Sequence, residues 1–317
     1  MQVKPLRRSP VPFRLAGVAL LALAHGLSGC HGSGSPSAPS TQSPAPPAGS
    51  SPPAPPVVSG ISGFVLDTGF RPIAGARVEV VDGAAAGTST TTDEGGRFSL
   101  AGTFDGTTRF RATKEGHVAA TQTWSCSDGD CSGPGAATPW LGFYLAVLAP
   151  SVDLAGAYSL TFIADSACPD LPSEMRTRTY GATITADSSP STPVNTAFEV
   201  TVSGAPFLGS LSGFEIGVAG DHVGFWLHGG HDPALVERVA ESAYLAFSGV
   251  ASASVTASTA TITTPFDGWI EYCVMPSEMG QPYNCGTSNW TGEPIPGQAV
   301  TRAHCESKDH RLILTRR

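Results

Sequence analysis

Three histidines and two aspartates crowd the stretch "GDHVGFWLHGGHDP": Asp221, His222, His228, His231 and Asp232. Imidazole and carboxylate groups bind zinc or copper, and His222, His228 and His231 with Asp232 as a fourth ligand have the donor chemistry of such a site. In a strand, His222 and His228 are six apart and share a face, with His231 just beyond in a glycine turn. The spacing matches no short metal motif, and histidines beside glycines in a loop are commonly just solvated. A metal-dependent enzyme built on this cluster is therefore an alternative expectation, not the leading one.

Other chemistries find less support. Glu215, Asp221, Glu237 and Glu241 are scattered, and pairing any two for glycoside hydrolysis is arbitrary without geometry. "GSLSG" at Gly209 to Gly213 puts Leu211 where a nucleophile elbow needs serine. Glycine loops that cradle phosphate are missing. "CSDGDC" sets Asp128 and Asp130 in a tight loop, but lacks the further oxygens and closing glutamate of a strong calcium site. The expectation is a non-enzymatic chain with no cofactor. Aromatic residues offer a binding reading instead: Trp226, Tyr244, Trp269 and Trp290, with Tyr272 nearby, are the side chains that sheets and barrels use to grip glycans or small apolar ligands. Trp226 and Trp269 alternate with small or polar neighbours and are expected to be buried, whereas Trp290, within "GTSNWTGEP", is expected at the surface.

Compartment follows from the N-terminus. Lys4, Arg7, Arg8 and Arg14 precede or flank the apolar run "LAGVALLALAHGL", which is shorter than a membrane span and ends in small residues, as in a secretory signal peptide. "LSGC", Leu27 to Cys30, resembles the lipobox of bacterial lipoproteins. That resemblance implies that Cys30 heads the mature chain and carries lipid, which holds it stably on a bilayer when several acyl chains are attached. His31 follows in place of the aspartate that often retains such proteins at an inner membrane, so the outer membrane or cell surface is expected. Residues 31–56, "HGSGSPSAPSTQSPAPPAGSSPPAPP", carry no Asp, Glu, Lys or Arg and no bulky apolar residue. Such a tract cannot bury enough surface to offset its ordering entropy, and reads as a proline-stiffened stalk.

With Cys30 assigned to lipid, six of the seven cysteines remain: Cys126, Cys131, Cys168, Cys273, Cys285 and Cys305. An even number in an exported chain argues for disulfides. Cys126 with Cys131 is the expected local bridge, and the other four are expected to pair within the C-terminal half. Loss of the signal removes four basic residues and takes the net charge from −8 to −12. No basic stripe remains for nucleic acid.

These features divide the chain into residues 1–29 (signal peptide), 30–58 (lipidated linker), 59–148 and 149–317. The third segment shows short alternating runs: "ARVEVV" places Ala76, Val78 and Val80 on one face and Arg77 and Glu79 on the other. "TTDEGGRFSL" reads as two strands about a glycine turn, with Phe98 and Leu100 facing one way. From Ser59 to Trp124, through "PIAGARV" and "TDEGGRFSL", the sequence resembles the carboxypeptidase regulatory-like domain. The resemblance implies a transthyretin-like sandwich and an accessory role rather than peptidase activity.

The fourth segment has eight or nine longer strands and no convincing helix, "LVERVAES" (Leu235 to Ser242) being the nearest to one. The terminal "LILTRR" alternates as a strand should, and its pairing with "AYSLTFIA" would close a barrel. This architecture resembles lipocalin-like or streptavidin-like barrels, though Gly156 is followed by Ala157 and Tyr158 rather than the lipocalin Gly-x-Trp. A second sandwich is the alternative. The fold class expected is all-β: a small sandwich, then a disulfide-braced antiparallel barrel. The leading functional expectation is a lipid-anchored envelope protein binding a small apolar ligand or glycan in that module; the alternative from another class is an assembly protein contacting other envelope proteins.

Overall fold

The computed structural model describes residues 57–124, 139–187, 195–229, 232–274 and 300–317. Cys30, Cys126, Cys131, Cys285, Trp290 and His231, with the signal and stalk, lie outside them, and at Asp232 the backbone alone is described. Among the described residues no helix is long and apolar enough to cross a membrane; the helical content is one 3-10 turn, Ser173–Met175.

Seven strands build the N-terminal lobe. β1 (Val57–Asp67) lies between β4 (Arg97–Asp105), antiparallel, and β7 (Trp140–Leu145), parallel. β3 (Ser89–Thr91), β2 (Arg77–Val80), β5 (Arg109–Thr113) and β6 (Ala120–Thr123) form the facing antiparallel sheet. Alternation places the core as expected: Ala76, Val78 and Val80 are buried against Phe98, Leu100, Phe104, Phe110 and Phe143. One expectation changes. The "TTDEGGRFSL" segment is no hairpin, because β3 and β4 belong to different sheets and the glycine turn carries the chain from one layer to the other. Phe98 and Leu100 still point inward, since facing sheets fill the same interior.

The C-terminal lobe is one antiparallel sheet closed on itself. Its strands are β8 (Gly156–Ile163), β9 (Thr177–Ala186), β10 (Ala197–Ser203), β11 (Phe207–Ala219), β12 (His222–Gly229), β13 (Asp232–Pro233), β14 (Leu235–Ala240), β15 (Ala243–Ser254), β16 (Thr261–Val274) and β17 (Val300–Arg316). β8 to β13 pair in succession, as do β14 to β17; β14 also pairs with β11, and β17 returns to β8 with Leu312 opposite Phe162 and Leu314 opposite Leu160. β12 takes the Gly249–Ser254 half of β15 and β14 takes the Ala243–Phe247 half, so together they make one interrupted stave. "LVERVA" is thus strand, its backbone satisfied by β15 on one side and β11 on the other. Closure leaves no free edge along the ring. A disulfide joins Cys168, in the loop after β8, to Cys305 on β17. Closing a loop of this size contributes about 5 kcal/mol in the chain-entropy model. Cys273 is disulfide-bonded as well.

The barrel interior is packed with its own side chains. Phe162 stacks on Phe247 at 4.7 Å between ring centroids and meets Phe266 edge-on at 5.6 Å, with Tyr180 at 6.4 Å. Toward one mouth the wall turns polar: Glu237, buried on β14, accepts hydrogen bonds from Arg178 Nε at 2.9 Å and Tyr180 Oη at 2.8 Å. A recess lined by Leu154, Tyr158, Val255, Ile262 and Arg316 measures about 10 Å³, room for about one water. A small apolar ligand expected inside the barrel therefore finds its place taken by Phe162, Phe247, Phe266 and their neighbours. Phe247→Ala is expected to cost about 3–5 kcal/mol in chemical denaturation. A cost below 1 kcal/mol would mean the interior is not close-packed.

Candidate functional site

The residues with chemistry to offer gather on the outer wall, where the two lobes meet. The loop after β1 is organised by Asp67, which is 3% exposed. Its Oδ1 accepts the Gly69 and Arg71 amides at 2.8 and 2.9 Å, and its Oδ2 takes Arg71 Nε at 2.7 Å. This network holds Phe70 at φ 69°, a conformation a bulky residue adopts only when its surroundings impose it.

That loop rests on two glycines paired across β11 and β12, Gly217 and Gly224. A Cβ at Gly217 would lie 2.0 Å from the Thr68 carbonyl oxygen and 2.9 Å from the Phe70 ring; one at Gly224 would lie 2.4 Å from the Gly69 oxygen. No other residue permits that approach. Thr68 Oγ1 donates to the Val218 carbonyl at 2.6 Å, and the Val152 amide to the Gly220 carbonyl at 3.1 Å, so the loop and the inter-lobe connection both bond the same barrel wall. The His222 ring packs against Gly69, with Nε2 buried and unpartnered.

From this seat a row of rings runs both ways. Phe70 contacts Tyr144 at 6.3 Å and Trp226 at 5.6 Å; Tyr144 contacts Phe64 at 5.7 Å, and Phe64 contacts Trp140 at 5.5 Å. Trp226 meets His228 edge-on at 5.1 Å, and His228 Nδ1 lies 2.9 Å from Ser248 Oγ. Two strands further round, Trp269 lies against His304 at 5.8 Å, and His304 Nδ1 is 3.3 Å from the buried Glu271 carboxylate, which also accepts from Thr301 Oγ1.

Electrostatics separates these groups. Burial, and secondarily the Arg71 charge, lowers the His222 pKa, against the opposing pull of Asp67, Asp221 and the Gly69 backbone. Burial also lowers that of His228. The hydrogen bond to Glu271 raises that of His304. Inside the barrel, burial and then the Glu237 charge push the Tyr180 hydroxyl up, and its hydrogen bond to Glu237 raises Arg178. Tyr180 is therefore a fixed donor to Glu237 rather than an acid.

Of the histidine cluster read from sequence, His222 and His228 are not brought together, and His231 and the Asp232 side chain lie outside the described residues. His222 and His228 share the outer face as alternation requires, but they stand at opposite ends of β12, about 20 Å apart at about 3.3 Å per residue. No ion bridges that span. Among the described residues the one group of three ligand-type atoms in mutual reach is Cys168, Cys305 and His310, and its two sulfurs are already bonded to each other. Trp226 and Trp269, expected in a core, are half-buried on the outer wall, because Phe225 and Ile270 take the inward positions beside them. Tyr244 is buried in a small outer cluster with Val236, Ala246 and Cys273. The glycine seat, Phe70, Tyr144 and Trp140 were missed in the sequence; the signal available was "DTGF" opposite two glycines, which no local pattern connects.

Residues 60–132 match the family model of the carboxypeptidase regulatory-like domain, a non-catalytic module. The match covers under half of the chain. No curated protein matches it.

Gly224→Val should unseat the loop while leaving the barrel hydrogen bonds intact. Scanning calorimetry is expected to resolve two transitions in place of one, and a single unchanged transition would contradict the seating. For His222 the neutral ring is favoured in the folded state. Its contribution is full above the unfolded pKa of about 6.5 and lost as pH falls through the lower folded value. Melting temperature should therefore drop less between pH 7 and 5 in His222→Gln than in the wild type; identical slopes would show that the ring does not sense the seam.

Proposed function

We propose that this chain is a non-enzymatic, exported envelope protein, tethered through lipid on Cys30 and a proline-rich stalk, whose two β lobes act as one interaction body. The observation that carries the reading is the seat of Thr68–Phe70 on Gly217 and Gly224, which makes a single surface out of two modules. The packed barrel supports an outer-wall role over that of an apolar carrier, and the matched accessory domain supports binding over catalysis. A chain at −12 after signal removal, with two lysines, disfavours anionic partners such as nucleic acid and acidic headgroups.

Anchoring is tested by fractionating bacterial cells that express the full chain. The wild type is expected in the membrane fraction and Cys30→Ser in the released fraction. Retention of the variant would sink the lipid anchor. Native mass spectrometry of the same released protein should give the bare polypeptide mass, and a companion molecule lost on denaturation would replace the interaction body with a carrier.

A further inference from the structure

We infer that the rings crossing the lobe seam form a binding face for a neutral, linear polysaccharide lying over both lobes. The inference rests on the reading of the protein as a non-catalytic interaction body and supplies its ligand class. Trp140, Phe64, Tyr144, Phe70, Trp226 and His228 follow one another with centroids 5.1 to 6.3 Å apart. Tyr144 is 42% exposed, while Trp140, Phe70 and Trp226 are half-buried. Phe64 is buried and links Trp140 to Tyr144, while the other rings show part of their surface, and neighbours fix each orientation before any ligand arrives. Rings held in advance lose little freedom on binding.

Three features choose the occupant. Continuity is the first: the row crosses the lobe interface through Phe70, whose backbone sits on the glycine pair, so a ligand that uses the whole row is elongated and touches both lobes. Charge is the second. Arg71 beside Phe70 is neutralised by Asp67 and His228 favours its neutral form; at the margins exposed Glu215 stands opposite Trp226 and Arg97 opposite Phe64, one charge of each sign. A polymer charged uniformly with one sign gains no net attraction along such a row. Third is the mixture of ring surface with hydrogen-bonding edge, supplied at the barrel end by the half-buried His228, whose ring buried Ser248 holds through Nδ1, and by the exposed Glu215 carboxylate opposite Trp226. A β-linked glucose-type chain keeps its hydroxyls equatorial and its C–H groups axial, so it offers apolar faces to rings and polar edges to such groups. A protein segment offers that alternation only where its sequence happens to supply it.

The test is isothermal titration calorimetry of the full mature chain with soluble β-linked hexamers of glucose and of N-acetylglucosamine, and with the corresponding trimers. At least one hexamer is expected to bind with a dissociation constant below about 1 mM, its trimer more weakly. Tyr144→Ser on the sandwich and Trp226→Ala on the barrel should each weaken the hexamer about tenfold. Tyr144 is exposed enough that its variant tests the claim even if Trp226→Ala does not fold. No binding by either hexamer overturns the inference, as does an unchanged affinity in Tyr144→Ser. Self-association that Tyr144→Ser abolishes would overturn it in favour of a second copy. Shorter products in the titrated mixture would instead contradict the non-catalytic reading, so the two failures are distinguishable.

Discussion

Two glycines facing each other across neighbouring strands set the form of this protein. Gly217 and Gly224 leave the barrel wall bare over an area just large enough for three residues of backbone, and Thr68, Gly69 and Phe70 fill it. The contact is specific because it is backbone against backbone: a single methyl on either glycine would stand 2.0 to 2.4 Å from a carbonyl oxygen. Asp67 makes it possible from the other side, by holding Phe70 in a left-handed conformation that the residue would otherwise avoid. Strain in the loop and bareness of the wall compensate each other, and what results is a continuous face across two modules.

The barrel behind that face is a platform rather than a container. Closure satisfies its backbone, and Phe162, Phe247 and Phe266 occupy the volume that a ligand would need. Its internal ion pair follows the same logic. Arg178 and Tyr180 together make a good carboxylate grip, and Glu237, carried in by the interrupted stave, already fills it. A buried carboxylate with both oxygens engaged favours one register of β14 against β15, since a one-residue slip would turn Glu237 outward and Val236 in.

Much of the scaffold was legible because it depends on local alternation. Ala76, Val78 and Val80 fall on one face, and "LILTRR" closes the ring as the pattern suggested. Alternation states that two faces exist without stating which is the inside. In "HVGFWLHG" both faces carry large apolar groups, and Trp226 was put in the core when Val223, Phe225 and Leu227 hold it. The turn in "TTDEGGRFSL" failed for a related reason: a glycine turn signals reversal, not whether the next strand joins the same sheet or the facing one. His222 and His228 drew attention by closeness in sequence, which along an extended strand means distance in space. Residues that do meet, such as Phe70 and Trp226 or Arg178 and Glu237, are separated by scores of positions and by folds that no local pattern encodes.

The central claim is that the two lobes are one rigid body. Residual dipolar couplings of backbone amides in the full mature chain test it directly, because each lobe reports its own orientation in an aligned medium. One alignment tensor should fit β1–β7 and β8–β17 together, in the orientation that seats Thr68–Phe70 on Gly217 and Gly224. Two tensors of different magnitude would mean the lobes tumble separately, and the shared face would not exist.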